Sequence, residues 1–204
     1  DCYSKNRSKC EIYITEGDSA SGNLKTARNN EFQAVLPVRG KIINTQKAGL
    51  DKIQKNAEIM TMIDAFGLTI DPKTMKITYN KKDLRYGKII IMADADVDGS
   101  HIRILFFTFI WKFCPELIQK GYIYAAAPPL YRIIQGKKSF YLKDDAALEE
   151  FRKTAKSGYE VRRFKGLGEQ NAEELAESTM EPGNRILKQI TMEDALAATT
   201  TFNS

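Results

Sequence analysis

The stretch KIIIMADADVDG, residues 88–99, sets an apolar run of strand length directly ahead of three alternating aspartates. Ile89, Ile90, Ile91 and Met92 have no polar side among them, the composition of a strand buried on both faces of a parallel sheet. The carboxylates of Asp94, Asp96 and Asp98 begin where that strand ends. In an extended chain all three point to one side, with neighbours about 6.6 Å apart at about 3.3 Å rise per residue. Oxygen ligands of one Mg²⁺ lie about 2.1 Å from it, hence at most about 4.2 Å from each other, so the side chains must converge or serve two ions about 4 Å apart. Without a cation, neighbouring charges repel by roughly 2 kcal/mol at an effective dielectric near 20.

Upstream, CEIYIT (residues 10–15) alternates and is β-branched, and it breaks at Glu16-Gly17-Asp18-Ser19. The following SASGNLKTARNN reads as a helix capped by Asp18 or Ser19. Glu16 therefore ends a second strand and is placed to supply a ligand from the side opposite the aspartates. Residues 32–38, FQAVLPV, form a third strand that runs into the loop RGKIINTQKAG, and helical spacing returns across residues 50–65. Residues 102–118 read as one long apolar helix with Pro115 near its end, and residues 122–126 as a short strand. Strands alternating with helices predict an α/β fold with a mainly parallel sheet and a site at the carboxyl ends of its strands.

After Ala127-Pro128-Pro129 the character changes to a hairpin-like YRIIQGKKSFYLK, a helix DDAALEEFRK, the basic stretch YEVRRFKGLGE and two further helical segments. A boundary is expected near residue 127, with a metal-binding domain over 1–127 and a smaller α+β tail over 128–204. With 43% hydrophobic and 28% charged residues among 204, the chain can bury a core in either arrangement. No run of about 18 apolar residues and no secretory leader is present, which excludes a membrane span and makes the cytoplasm the expected compartment. Cys2, Cys10 and Cys114 lack the neighbours of a zinc site and read as reduced thiols. The net charge of +5 permits a polyanionic partner without requiring one. Its distribution says more, because Arg28, Arg39, Lys41, Lys47, Arg103, Arg162, Arg163, Lys165 and Arg185 lie beside glycines or ahead of helices.

Other readings of the acidic run can be weighed. A solvated turn with Asp98 or Ser100 capping the next helix explains one aspartate, not three. An EF-hand loop starting at Asp94 would need a bidentate glutamate at its twelfth position, where Leu105 stands. An aspartyl-phosphate phosphohydrolase would use Asp94 as nucleophile and Asp96 as acid/base, with Asp144 and Asp145 as its later acidic pair. That alternative stays open, although it leaves Glu16 without a role.

The order EGDSASG, FQAVLPVRGKIINTQKA, KIIIMADADVDGSHI resembles the TOPRIM fold, and in particular the B subunits of bacterial type IIA topoisomerases, gyrase and topoisomerase IV alike. The likeness continues through GYIYAAAPPLYRI, RRFKGLGEQNAEELAESTMEP and ITMEDALAA, and so covers nearly the whole chain. Primases and type I topoisomerases share the glutamate and the D-x-D-x-D run, whereas PVRGKIIN, PPLYR and FKGLGE resemble the type II protein.

By position, the resemblance implies Glu16, Asp94 and Asp96 as catalytic magnesium ligands, with Asp98 nearby or acting through water, and Mn²⁺ or Ca²⁺ able to substitute. It implies DNA contacts at Lys41, Asn44, His101 and Arg185, a weaker one at Lys165, and proximity of Asp18 and Lys41 to the family's fluoroquinolone-class inhibitors. Ser21 and Ala93 depart from the family's more usual Gly and Thr, and both are small. Double-stranded DNA is the implied substrate, and an A subunit carrying the catalytic tyrosine is the implied partner in an A2B2 heterotetramer. ATP enters only through an N-terminal module expected to lie outside this chain, which reads as an excised piece. Trp111, Phe106, Phe107 and Phe109 are expected in the core.

Overall fold

Ile89, Ile90, Ile91 and Met92 are at most 1% exposed, so the decisive strand is buried on both faces. The computed structural model describes residues 1–38, 57–71, 73–74, 76–92, 97–164, 167 and 170–203, with backbone alone at 17–20, 58, 97–102 and 199–203. In chain order the elements are β1 (Glu11–Glu16), α1 (Gly17–Ala27), β2 (Gln33–Val38), α2 (Ala57–Phe66), β3 (Thr69–Ile70), β4 (Ile77–Thr78), β5 (Lys88–Met92), α3 (Val97–Phe113), α4 (Pro115–Gln119) and β6 (Ile123–Ala126). There follow β7 (Tyr131–Gln135), β8 (Lys138–Leu142), α5 (Asp145–Thr154), β9 (Glu160–Arg163), α6 (Ala172–Leu175), a π turn (Ala176–Met180), β10 (Leu187–Gln189) and α7 (Met192–Asn203).

Five strands form the main sheet in the order β10-β6-β5-β1-β2, parallel except for β10. Side chains alternate across it as the two-residue strand period requires. Ile12, Ile14, Ile89, Ile91 and Ile123 face α2, α3 and α4, while Tyr13, Ile90, Met92 and Ala126 face Leu24 of α1 and Leu175 of α6. The expected α/β fold with a mainly parallel sheet is what forms. Phe106, Phe107 and Phe109 are buried on the first of these faces, and Trp111 packs at its margin.

The structure corrects three local readings. Helix α1 starts at Gly17, and Glu16 occupies its N-cap with φ −82° and ψ 122°, so Asp18 and Ser19 sit inside the first turn and do not precede it. The long helix starts at Val97, five residues earlier than expected, and ends at Phe113. Pro115 then opens α4 at its first turn instead of lying inside one continuous helix. Proline has no N–H to bond the carbonyl four residues back, and its ring disfavours helical geometry at Cys114, where φ is −150° and ψ 64°.

The expected boundary at residue 127 falls between β6 and β7. Beyond it, β8-β7-β9 form an antiparallel sheet with α5 over a small core of Tyr131, Ile133 and Leu148. Asp144 caps α5 by accepting from the Ala147 N–H at 2.9 Å, as its acidic start suggests. Neither β9 nor β10 is legible in the sequence. The chain returns through β10, which pairs Leu187 with Ala126 and Gln189 with Tyr124, and α7 packs back on α3. Among the described residues no helix is long and apolar enough to cross a membrane.

Gly67 and Gly136 both adopt positive φ, but a Cβ at Gly67 would meet the Asp83 carbonyl oxygen at 2.0 Å, whereas Gly136 faces open space. Gly136→Ala should therefore cost about 1 kcal/mol from backbone strain, and Gly67→Ala about 3 kcal/mol once the clash is added. Urea unfolding of the two variants checks this, and equal losses would contradict the close approach at Gly67.

Candidate functional site

Parallel pairing brings the strand ends level. Glu16 lies beside Val38, and Thr15 lies beside Met92, so the last residue of β5 stops one position short of the level of Glu16. From β1 the chain continues through α1 on one face of the sheet, and from β5 it continues into α3 on the other. The crevice between β1 and β5 is thus the place where the winding of the sheet reverses, the usual location of a ligand in an open α/β sheet. Two helix N-termini flank it. Their unpaired N–H groups carry partial positive charge, which favours carboxylates and phosphates at that edge.

Glu16 is exposed at this edge. Asp98 is the second residue of α3 and His101 the fifth, so both lie within about a turn of its N-terminus. The helical start at Val97 takes Asp98 out of the extended run assumed for Asp94, Asp96 and Asp98, and a single straight row of three carboxylates does not exist. Asp94, Asp96, Lys41, Asn44 and Lys165 lie outside the described residues, as do Ala93 and most of the loop after β2. For Asp18, only the backbone in the first turn of α1 is described. Among the described residues no three of His, Cys, Asp and Glu converge. Glu16, which closes β1 at this edge, offers a carboxylate, a hard oxygen donor suited to Mg²⁺ and unsuited to a thiolate-loving metal. Ser21 is buried on α1.

Arg185 sits elsewhere. Its side chain is 7% exposed and forms a two-pronged ion pair with Glu11, with Nη2 donating to Oε2 at 2.8 Å and Nη1 to Oε1. Nη1 also donates to the Tyr13 hydroxyl at 2.9 Å, and that hydroxyl donates to the Thr179 carbonyl at 3.2 Å. Gln33 completes the cluster, donating to Glu11 Oε1 at 2.7 Å and to the Met180 carbonyl at 2.8 Å. Glu11 opens β1 and Glu16 closes it, about 16 Å away at strand rise. The DNA contact expected of Arg185 thus finds its guanidinium already paired, at the opposite end of the sheet. Burial opposes the charge on Arg185, but the bond to Glu11 outweighs it and raises its pKa. Burial likewise pushes the Tyr13 hydroxyl well above its ordinary value. Sequence reading missed Glu11, whose signal was a charged residue in an otherwise buried strand: such a group requires a partner.

The acidic pair of the phosphohydrolase alternative is also spoken for. Asp144 caps α5, and Asp145 accepts a hydrogen bond from Tyr131, both in the second sheet unit. Basic residues divide similarly: Arg28 donates to the Gln33 carbonyl at 2.7 Å, while Arg162 and Arg163 are exposed on β9.

Comparison with known proteins fits this geometry. A family profile described as the Toprim domain matches residues 11–128, more than half of the chain. The chain belongs to the Toprim domain family. A second profile, the carboxyl terminus of the DNA gyrase B subunit, matches residues 156–204, leaving the β7–β8 hairpin and α5 between the two. Among its relatives are the DNA gyrase B subunits of Thermus thermophilus, 49% identical over 203 residues, of Archaeoglobus fulgidus, 50% identical over 205, and of Staphylococcus aureus, 48% identical over 206. These alignments take in 99%, 100% and 99% of the chain but 32%, 31% and 31% of the relatives, so the chain spans about a third of their length.

Removing one partner of a buried ion pair strands the other charge, at a cost of about 3–5 kcal/mol. Arg185→Leu should lose that much stability by urea denaturation, and Glu11→Leu with Arg185→Leu together should lose less than either change alone. A loss under about 1 kcal/mol for the single variant would show the pair to be dispensable.

Proposed function

We propose that this chain is the magnesium-binding part of the DNA cleavage and religation site in the B subunit of a bacterial type II topoisomerase. Membership of the Toprim family supports this, as does about 50% identity along the whole chain to subunits named for gyrase. The observation that carries it is the level ending of β1 and β5 at the switch point, with Glu16 exposed at the end of β1 and the acidic run following β5 in the sequence.

In this reading Glu16, Asp94 and Asp96 hold the ion, and Asp98 assists directly or through water. Bound there, magnesium stabilises the negative charge that develops on the phosphodiester and on its leaving oxygen. The N–H groups at the starts of α1 and α3 orient the phosphate. Lys41, Asn44 and His101 contact the DNA backbone near the scissile bond, fixing register without reading sequence. Asp18 and Lys41 border the inhibitor position. Arg185 belongs instead to the internal clamp on Glu11. The nucleophile is a tyrosine of the A subunit, with the two proteins assembled as A2B2. Tyr13 is an unsuitable nucleophile, because it is buried and its hydroxyl holds its proton. ATP acts through parts of the parent protein other than this segment, and the compartment is the cytoplasm.

The full-length protein reconstituted with its A subunit tests this on supercoiled plasmid. Glu16→Ala and Asp94→Ala should each reduce magnesium-dependent cleavage by about 100-fold or more, a loss on the scale of removing one stabiliser of transition-state charge. Undiminished cleavage by both variants would overturn the proposal. Phosphatase turnover by the chain without an A subunit would favour the phosphohydrolase, and magnesium-dependent DNA binding with cleavage indifferent to Glu16 would favour a non-catalytic binding module. Negative supercoiling of relaxed plasmid by the holoenzyme marks gyrase, and decatenation without it marks topoisomerase IV.

A further inference from the structure

From Leu130 to Phe164 the chain carries nine lysines and arginines against five acidic residues, so four of its five net positive charges sit in the second sheet unit. Three of those acids are engaged within the unit: Asp144 caps α5, Asp145 accepts from Tyr131, and Glu150 pairs with Lys153 at 3.3 Å. Strand register decides which cations keep a counter-charge. Arg132 of β7 stands directly between Tyr141 of β8 and Arg162 of β9, and like charges set opposite each other repel. Arg132 takes the partners at hand, lying 3.8 Å from Glu174 and 5.9 Å from the centre of the Tyr141 ring. Arg162 is left exposed, and so is Arg163 opposite Tyr131. Among the described residues neither of the two has an ion pair.

Both arginines lie at the root of the unit. Strand β6 ends with Ala126 level with Met92, at the edge where Glu16 closes β1, and residues 127–130 alone lead from there into β7. The Phe164 N–H donates to the Leu130 carbonyl at 2.8 Å, so β9 ends where β7 begins. Across the sheet β6 is two strands from β1, about 10 Å. Lys137 and Lys138, at the hairpin turn, lie about 13 Å farther out along β7. Among the described residues β9 pairs with β7 alone, and successive side chains on a strand point to opposite faces, so Arg162 and Arg163 flank its open edge.

We propose, resting on the DNA-cleaving role given above, that Arg162 and Arg163 form a second contact for the backbone of double-stranded DNA, outside the crevice, which holds the duplex where it leaves the cleavage point. A duplex presents one negative charge about every 1.7 Å of its axis, so DNA seated at the crevice supplies phosphates to cations this near on the same edge. A guanidinium grips a phosphate with two parallel N–H groups, and such a contact holds the duplex without reading its sequence.

The test is fluorescence anisotropy of a labelled duplex bound by the full-length protein with its A subunit, in EDTA, across a range of salt concentrations. Each phosphate contact adds about 0.9 to the slope of log affinity against log salt, or about 8-fold in affinity at 0.1 M salt. Arg162→Gln with Arg163→Gln should lower that slope by roughly 2 and weaken binding by roughly 60-fold. Arg162→Lys with Arg163→Lys should restore most of the loss. Lys137→Gln with Lys138→Gln removes the same charge farther from the crevice and should change affinity by less than about 3-fold, because salt screens charges at that range. Binding in EDTA needs no cleavage, so a holoenzyme that binds through these arginines and fails to cleave sinks the cleavage role alone. An unchanged salt slope in the glutamine variant of the arginines would overturn the proposal. Equal losses from the lysine pair would do the same by showing a diffuse effect of net charge. A fall in affinity for the A subunit with DNA binding intact would assign the arginines to a protein partner instead, and would also overturn it.

Discussion

The ladder between β1 and β5 sets Ile12 beside Ile89 and Thr15 beside Met92, and both strands are buried on both faces. That burial fixes the register, because a slip of one residue would turn Tyr13 and Ile90 towards the helices that now cover Ile12 and Ile89. Everything at the carboxyl edge depends on it. With the register fixed, Glu16 and the chain leaving Met92 emerge at nearly the same height from adjacent strands. The helices that follow them depart on opposite faces, so their N-termini approach one crevice from two sides. A sheet of this order brings Glu16 and two helix N-termini to the same edge by topology alone.

The other end of β1 is held differently. Glu11, Arg185, Tyr13 and Gln33 make a buried polar cluster that also bonds the carbonyls of Thr179 and Met180 in the π turn. Burying an ion pair is weak evidence for stability, since desolvation offsets much of the attraction. Arg185 reaches both oxygens of Glu11 from the segment that leads out of the π turn into β10, which pairs with β6. The polar cluster and the apolar contacts of Leu175 and Met180 together hold this segment against β1. The second sheet unit meets α6 and the π turn through looser contacts, with Arg132 3.8 Å from Glu174 and the exposed Tyr141 hydroxyl donating to Glu177 at 3.2 Å.

Legibility followed how local each signal was. KIIIM and CEIYIT announced β5 and β1 almost to the residue, since an apolar or β-branched run of that length has few other uses. The hairpin of β7 and β8 and the capped start of α5 were equally plain. Asp18 and Ser19 misled because the residues that favour a cap also sit well in a first helical turn, and only the backbone angles at Glu16 decide between them. Residues 97–101 misled because DGSH reads as turn chemistry when the partner sheet is not in view.

By itself, the sequence determined the α/β class and the strands after which the acidic residues stand, because each is written in neighbouring residues with a fixed period. The tertiary structure decided that β10 completes the main sheet and that Arg185 is an internal clamp. The order of the sheet and the meeting of two helix N-termini at one crevice were also decided there. Arg185 and Glu11 are 174 positions apart, and a partnership over that separation has no local pattern to betray it. It is selected only when the folded chain must find a counter-charge for a carboxylate it has buried.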